Sequence, residues 1–364
     1  MQRILRRSFF ISLIALALGV TAPAALFARE AATPPGATPA ATEPQLPATV
    51  TDVTGATVAV SDVSRIIPLN GNVAETVFAL GLGPNVVAVD VSALHPAEVQ
   101  RLPKIGYQRE LFAEAILSFA PTVVIGTGNA GPPEVIEQVR AAGITVVILP
   151  VQEDAAGAVQ EIRAVGQALG VADAAGAIAA GVEARIAEAG ALVADVPETE
   201  RPRVAFLYIR GQGTQLMAGT NSGADAVITA AGGINVGAEI GIDGYRPITP
   251  ESLVEAAPDV ILVMRDGLAS VGGVEGLLSI PGVSQTPAGE TGTIVAFEDL
   301  YLLGFGPRIG DAIFDLTLAL HPDVEGTPIH PELQGTDVAI EEASPEASPA
   351  ASPAAAVRAA VPAW

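Results

Sequence analysis

The sequence predicts an α/β protein with two Rossmann-like lobes, each built on a parallel sheet, joined by a long rigid helix and separated by a ligand cleft. Apolar strand segments alternate with amphipathic helices, one strand–helix pattern occurs twice, and a long helix-forming stretch separates the two copies. The chain has 364 residues, half of them apolar. It can therefore bury one large core or two smaller ones.

Residues 1–28 predict an export signal. Three arginines precede an apolar run over residues 9–20, and small residues continue to Ala28. A basic start, a short apolar run and a small-residue cleavage region are typical of a secretory signal peptide. An uncleaved membrane anchor is the alternative, although the run is short for a span of about 20 residues. In either case we expect the body of the protein outside the cytoplasmic membrane, in the periplasm, cell envelope or extracellular space.

Two flanking segments predict disorder. Residues 29–50 are rich in Ala, Pro and Thr without periodicity, and residues 325–364 contain three Ala-Ser-Pro repeats that begin at Ala343. Such compositions do not bury a core. We therefore expect a flexible linker and a disordered tail on the two sides of the folded body.

The N-terminal lobe is predicted over residues 51–152. Its predicted strands cover residues 58–60, 66–68, 86–91, 123–126 and 145–149, and its predicted helices begin at residues 72, 114 and 134. Asn72 and Glu75 have the spacing of a helix-capping pair at the start of the first helix. Strands and helices that alternate at this spacing indicate a parallel sheet covered by helices.

The C-terminal lobe, predicted over residues 199–324, repeats this order. Gly244-Tyr245 corresponds to Gly106-Tyr107, and in both copies a helix-starting glutamate lies seven residues before the proline of an Ala-Pro pair. Between the lobes, residues 153–198 consist almost entirely of helix-forming residues and contain no proline before Pro197. This stretch predicts the interlobe helix, and a cleft between two lobes is a preferred site for small molecules.

The composition narrows the choice of ligand. A net charge of −22 with only 18 Lys and Arg residues argues against a nucleic-acid partner. The absence of cysteine from the sequence excludes disulfides, thiolate zinc sites and cysteine-ligated iron–sulfur clusters. Three histidines do not favour a zinc or manganese site. No Gly-x-Ser-x-Gly elbow or plausible Ser/His/Asp set is present, so we predict no enzymatic activity.

The segment from Gly106 to Leu111 is the strongest candidate site. If the protein binds a metal or cofactor, Tyr107 is the side chain best placed to hold it, because few other side chains of this chain can ligate a metal. The unperturbed pKa of a tyrosine is about 10, so iron or a nearby cation must favour ionisation of Tyr107. Arg109 would lie on the same side of an extended segment and could stabilise the phenolate. An ordinary loop tyrosine beside a helix-capping arginine is the alternative.

The order of motifs over residues 51–322 resembles the class III, helical-linker (TroA-like) substrate-binding proteins of bacterial ABC importers. Gly-Tyr-Gln-Arg at 106–109 and Tyr-Leu-Leu-Gly-Phe-Gly-Pro-Arg at 301–308 are most similar to the haemin-binding branch. The resemblance implies a non-catalytic protein that carries haem as a transported ligand, ligates its iron through Tyr107, and delivers it to a permease and its ATPase. Ferric siderophore and cobalamin are the alternative ligands. We expect a monomer.

The resemblance implies further ligand contacts. No histidine follows the first strand of the C-terminal lobe, where related haem proteins sometimes offer a second iron ligand, so we expect Tyr107 to hold five-coordinate iron alone. Arg210 and Arg246 are candidate partners for the haem propionates, because a guanidinium group matches carboxylate geometry. Tyr245 is a candidate cleft residue. Solvated arginines and a tyrosine that fills its own loop are the alternatives.

The resemblance also implies that one acidic residue of each lobe docks onto permease arginines. Glu75 and Asp225 are the candidates. Both occupy capping positions, three residues after Asn72 and Ser222, and docking requires that their carboxylates stay exposed. We expect the segment from Tyr301 to Arg308 to shape the cleft wall, with Tyr301 in a structural role.

Overall fold

The computed structural model describes residues 43–339. The predicted signal peptide, most of the predicted linker and the Ala-Ser-Pro repeats lie outside the described residues. The strands are β1 Ala48–Thr51, β2 Thr57–Val60, β3 Ile66–Pro68, β4 Val123–Thr127, β5 Thr145–Leu149, β6 Arg203–Arg210, β7 Thr214–Ala218, β8 Ile234–Asn235, β9 Tyr245–Pro247, β10 Val260–Met264 and β11 Ile294–Phe297. The α-helices are α1 Gly71–Ala79, α2 Ala113–Leu117, α3 Pro133–Ala141, α4 Ala155–Ala168, α5 Ala172–Leu192, α6 Gly223–Ala230, α7 Val236–Glu239, α8 Pro250–Ala256, α9 Arg265–Ser270, α10 Gly273–Leu278, α11 Pro287–Thr291, α12 Asp299–Leu303 and α13 Ile309–Leu320.

The N-terminal lobe is built on a parallel sheet of three strands in the order β3-β4-β5. Ile66 pairs with Val123, which pairs with Thr145 on the other side. All residues of β3 and β4 are buried, and alternate residues enter two different core clusters. Both faces of the sheet are therefore covered, as in parallel sheets generally. The strand predicted at 86–91 is wrong, because this segment makes only isolated bridges at Val86 and Val89.

The C-terminal lobe has a six-stranded sheet in the order β11-β10-β6-β7-β9, with β8 paired to β6. Strands β11, β10, β6 and β8 run parallel, as predicted, whereas β7 and β9 are antiparallel additions. The reason is the short connection after β6. Arg210 pairs directly with Thr214 across a three-residue loop, and a parallel return would need a crossover of about a dozen residues or more.

The interlobe segment is helical, as predicted, but it forms two helices and not one. Helix α4 ends at Ala168, the chain turns at Gly170 with φ of +73°, and α5 begins at Ala172. This left-handed backbone conformation suits glycine and ends a helix. Helices α4 and α5 pack against each other, and α5 also packs against α13 of the C-terminal lobe. The connection is therefore a packed helical hairpin.

The internal repeat extends to the backbone conformation. Gly106 and Gly244 both have positive φ, at +104° and +65°. The alanines before Pro121 and Pro258 are also left-handed, with φ of +44° at Ala120 and +42° at Ala257. A non-glycine residue with positive φ is uncommon, so the shared conformation indicates that the two copies form the same helix–strand connection.

The folded body is longer than predicted at both ends. Residues 48–50, predicted as linker, belong to β1, which pairs with β2. Residues 325–339, predicted as part of the tail, lie on the C-terminal lobe, where the Glu298 amide donates to the Leu333 carbonyl at 2.8 Å and Arg265 donates to the Glu332 carbonyl at 2.9 Å. Between residues 43 and 339, no helix is both long and apolar enough to span a bilayer.

Candidate functional site

A cleft of about 330 Å³ lies between the two lobes, a size within the usual range of ligand pockets. The N-terminal lobe, the interlobe segment and the C-terminal lobe all contribute to its walls. Its lining residues are Asn70, Gly71, Asn72, Ser92, Leu94, Tyr107, Gln108, Thr127, Asn129, Val151, Gln152, Glu161, Arg210, Asp266, Asp299, Leu300 and Gly304. Most of the wall is polar, and of the predicted ligand contacts it includes Tyr107 and Arg210.

Tyr107 lies on the N-terminal wall of the cleft, with 44% of its surface exposed. The positive φ of Gly106 turns the chain into this position. The segment that follows is a turn, in which the Glu110 amide donates to the Tyr107 carbonyl at 2.8 Å. The premise of an extended segment is therefore wrong. Arg109 lies at the exposed tip of the turn and does not line the cleft.

Asn70 fixes the turn that carries Tyr107. Its Oδ1 accepts a hydrogen bond from the buried Thr127 amide at 2.7 Å, and its Nδ2 donates to Oε1 of Gln108. The Gln108 carbonyl in turn accepts from the Gly131 amide at 2.8 Å. Asn70 is 2% exposed, so these bonds tie the carboxyl end of β4 to the residue next to Tyr107. The turn that carries Tyr107 is therefore anchored by a buried Asn70 side chain whose polar atoms are paired.

The C-terminal wall presents an arginine that is already paired. The guanidinium of Arg210 donates to Oδ2 of Asp299 at 2.5 Å, and it lies 4.8 Å from the ring centroid of Tyr208. Burial raises the pKa of Asp299, against the opposing effect of Arg210. Asp266 lies beside Asp299 on the same wall. Arg210 is the only cation among the lining residues, and two carboxylates accompany it.

The second copy of the repeat does not reach the cleft. The Tyr245 ring packs edge-on against Phe206 and Tyr208, with centroid distances of 6.5 and 5.9 Å. Burial raises the pKa of Tyr245. Arg246 is exposed on β9, outside the cleft lining. Neither Tyr245 nor Arg246 is among the residues that line the cleft, and their ligand contacts stay a prediction.

Helix α4 contributes a carboxyl group that the sequence reasoning missed. Glu161 lines the cleft but is only 4% exposed, and its Oε1 accepts from Nδ2 of Asn72 at 2.7 Å. Burial raises the pKa of Glu161 to about 8. The sequence did carry an indication, because Glu161 falls three residues after Ala158 and four before Val165, on the apolar stripe of the helix. An acidic residue on such a stripe is unusual.

Glu75 does not have the exposure that permease docking requires. It is 4% exposed, and both of its oxygens accept hydrogen bonds from Arg308, at 2.8 and 2.9 Å. Arg308 lies on the other lobe, with its guanidinium 5.2 Å from the ring centroid of Tyr301. In this structure Glu75 therefore forms an ion pair between the lobes, and its docking role stays an untested prediction. Its partner lies 233 residues away in sequence, which explains why local capping rules did not reveal the contact.

Only one of the two predicted helix-capping pairs forms a side-chain cap. Ser222 caps α6 as predicted, since its hydroxyl accepts from the Asp225 amide at 3.2 Å. Asp225 is partly exposed, and its Oδ1 accepts from Nδ2 of Asn235 at 2.9 Å. Helix α1 instead has Asn70 at its N-cap without a side-chain capping bond. Asn72 lies inside the first turn and turns towards Glu161.

The histidines and Tyr301 lie away from the cleft. Tyr301 is 1% exposed and donates to Oδ2 of Asp315 at 2.9 Å, which agrees with its predicted structural role. Burial, with Arg308 and His330 nearby, lowers the pKa of His95 to about 4. None of His95, His321 and His330 lines the cleft that the described part of the chain forms. Within residues 43–339, no group of three or more His, Asp or Glu side chains could hold a metal ion.

Comparisons with known proteins agree with this architecture. Residues 66–300 match the family model described as periplasmic binding protein. The apo structure of the periplasmic heme-binding protein RhuT from Roseiflexus sp. RS-1 is 49% identical, with a TM-score of 0.70, over 72% of this chain and 100% of that chain. The periplasmic heme-binding protein BhuT, solved in complex with two hemes, is 41% identical, with a TM-score of 0.66, over 71% and 98% of the two chains.

One curated relative is named for a different ligand. The cobalamin-binding protein of Halobacterium salinarum is 29% identical over 317 residues, which cover 85% of this chain and 83% of that protein. Its identity is lower than that of either heme-binding structure, although its coverage of this chain is larger.

Proposed function

Because the chain belongs to the periplasmic binding protein family, whose members bind ligands and are not enzymes, we propose that it binds haem outside the cytoplasmic membrane. We further propose that it delivers the haem, as a monomer, to the permease and ATPase of an ABC importer. The observation that carries the haem proposal is Tyr107, an exposed phenol on the wall of the interlobe cleft. The identity with RhuT, a periplasmic heme-binding protein, supports it.

Tyr107 is the tyrosine best placed to ligate iron. Of the four tyrosines in the chain, it is the one that lines the cleft. Tyr208 and Tyr245 pack against each other, and Tyr301 is committed to Asp315. Ferric iron favours the phenolate over the phenol, and tyrosinate is a known axial ligand of haem iron. The fixed turn around Tyr107 positions the ligand before haem arrives, which lowers the entropic cost of binding.

Two further contacts belong to the proposal. Arg210 is the candidate partner for a propionate, provided that the ligand competes with Asp299 for the guanidinium. Asp225 is the candidate docking residue for the permease, because its carboxylate is partly exposed at the start of α6. Haem uptake with Asp225→Arg, in a protein that still binds haemin, tests this docking role, and unchanged uptake would remove it.

A haemin titration tests the ligand and the role of Tyr107 together. We expect the wild type to show a Soret shift with the charge-transfer bands of tyrosinate-ligated ferric haem. Tyr107→Phe keeps the ring and removes the hydroxyl, so those bands should disappear. Tyr208→Phe is the matched control, since Tyr208 does not line the cleft, and it should retain them.

The cobalamin relative defines the competing outcome. The same titration is repeated with cyanocobalamin and with a ferric siderophore. Saturable binding of either compound by a wild type that leaves the haemin spectrum unchanged would overturn the haem proposal. Tyrosinate bands that persist in Tyr107→Phe would retain haem as the ligand but remove Tyr107 as its iron ligand.

A further inference from the structure

Glu161 combines three features that point to a ligand. Its side chain lines the cleft although it is only 4% exposed. Its Oε1 accepts from Nδ2 of Asn72 at 2.7 Å, whereas Oε2 is buried and has no hydrogen-bond partner among residues 43–339. Buried polar atoms in folded proteins are nearly always paired. An unpaired oxygen on a residue that lines a ligand cleft is therefore a candidate partner for a polar group of the ligand.

The surroundings of Glu161 favour a neutral carboxyl group. Burial is the cause of its raised pKa of about 8, and no ion pair of the described residues involves it. A carboxyl group that cannot pair with a cation keeps its proton when it is buried. Because Oε1 already accepts from Asn72, the proton resides on Oε2, which then becomes an unpaired donor on a residue that lines the cleft.

The charged groups on the elements around Glu161 have partners elsewhere. These pairs are Glu75 on α1 with Arg308, Arg163 on α4 with Glu183 on α5, Arg185 on α5 with Glu188 and Asp311, Asp225 on α6 with Asn235, and Asp315 on α13 with Tyr301. The titratable groups that line the same cleft are Tyr107, Arg210, Asp266 and Asp299. None of the described cations is therefore placed to ionise Glu161.

We infer that Glu161 is a ligand-binding residue, whose protonated carboxyl donates a hydrogen bond from Oε2 to a carboxylate oxygen of the bound ligand. This inference rests on the proposed function, since haem carries two such carboxylates, its propionates. The cleft has one cation and two carboxylates on its C-terminal wall, so a second anionic group needs a neutral donor. An ionised glutamate at this position would repel it. This subsite should therefore bind a ligand with free carboxylates more tightly than the ester of the same ligand.

Paired titrations with haemin and haemin dimethyl ester test this contact. A hydrogen bond to a charged group is worth enough that Glu161→Leu should weaken haemin binding by about tenfold to a hundredfold. The ester lacks the carboxylates, so the same substitution should change its affinity by less than about threefold. Glu183→Leu on α5 is the matched control, because Glu183 is exposed and pairs with Arg163.

A pH profile supplies a second readout that does not depend on the leucine variant folding. Haemin affinity of the wild type should fall as the pH rises through about 8, where Glu161 loses its proton. The amide of Glu161→Gln donates at every pH, so this variant should restore part of the affinity lost in Glu161→Leu and lack that fall. The difference between the two profiles isolates Glu161 from the titration of Tyr107 and the haem itself.

The outcomes separate this inference from the proposed function. Tyr107-dependent tyrosinate bands together with equal haemin affinity of the wild type and Glu161→Leu would overturn the carboxylate contact while haem binding stands. Equal losses for haemin and its ester would also overturn it, because they would assign Glu161 a packing role. A wild type without any haemin response would overturn both.

Discussion

The carboxyl group of Glu161 should couple the stability of the ligand-free protein to pH. Its pKa is about 8 in the fold and 4.5 when unperturbed. Below pH 4.5 both the folded and the unfolded states hold the proton. Between these two values only the unfolded state ionises, so the free energy of unfolding falls as the pH rises, by about 1.4 kcal/mol per pH unit. Above about pH 8 the loss is complete, on the order of 5 kcal/mol.

Urea unfolding of the wild type and Glu161→Gln at about pH 5 and about pH 8 measures this coupling. We expect Glu161→Gln to gain stability relative to the wild type at the higher pH, because it has no proton to lose. Glu183→Gln should follow the wild type at both values, as its carboxylate is exposed. Parallel curves for the wild type and Glu161→Gln would show that Glu161 ionises normally in the fold.

The sequence could identify some residues of the site but not their partners. Tyr107 could be singled out as a candidate ligand because the chain contains no cysteine and few histidines, and it lies on the cleft wall; its role as a ligand stays a proposal. The partner of Glu75 was not predictable, because Arg308 reaches it only through the packing of the two lobes. The role of Arg109 rested on an extended backbone, whereas the Tyr107–Glu110 hydrogen bond closes a turn. Spacing along the chain cannot distinguish these two conformations.

The element that positions Tyr107 is the carboxyl end of β4, and its packing depends on Gly126. A Cβ added at Gly126 would lie 2.7 Å from Oδ1 of Asn70 and 2.8 Å from Cβ of Leu69. Gly126→Ala should therefore displace Asn70, cost about 1–3 kcal/mol of stability, and weaken haemin binding through the loosened turn. Chemical unfolding and the haemin titration measure the two effects.

Gly128 provides the matched control for this element. A Cβ there would meet only the Val151 side chain, at 3.4 Å, an ordinary contact distance. Gly128→Ala should leave stability within about 1 kcal/mol of the wild type. If both variants unfold at the same urea concentration, the close approach of Asn70 to Gly126 does not constrain the site.

Most elements were predictable because their periodicity is local. The strands at 66–68, 123–127 and 145–149 are apolar runs bounded by helices, and they appear as expected. The wrong predictions concern segments whose structure depends on tertiary packing and not on the local sequence. The apolar run at 86–91 makes isolated bridges, and the sequence after Arg210 turns back as a hairpin. The sequence did not predict the turn at Gly170 because helix-forming residues lie on both sides, and a lone glycine is often tolerated inside a helix.

At the scale of the whole molecule, the ion pair between Glu75 and Arg308 joins the two lobes. Both side chains are largely buried, at 5% and 11% exposure. A buried pair contributes little net stability, yet removal of one partner leaves an uncompensated charge that costs about 3–5 kcal/mol. We therefore expect the pair to specify how the lobes meet, because an arrangement that separates the two side chains must hydrate both charges.

A double-mutant cycle tests this role of the pair. Arg308→Met and Glu75→Gln should each destabilise the protein, Arg308→Met by about 3–5 kcal/mol because it leaves the carboxylate buried alone. The double variant should lose less than the sum of the two, since it leaves no buried charge, and the difference is the coupling energy. The Arg163–Glu183 pair, which is exposed at 45% and 51%, is the control cycle and should couple by less than about 1 kcal/mol.

The same variants connect the pair to the arrangement of the lobes. If Glu75 and Arg308 hold the lobes together, Arg308→Met should increase the radius of gyration of the ligand-free protein in solution scattering, and haemin should reverse the increase by binding both walls of the cleft. Additive losses in the cycle, with an unchanged radius of gyration, would mean that the pair is only a local contact. In that case the packing of α5 on α4 and α13, and not this ion pair, would set the geometry of the cleft that Tyr107 and Glu161 line.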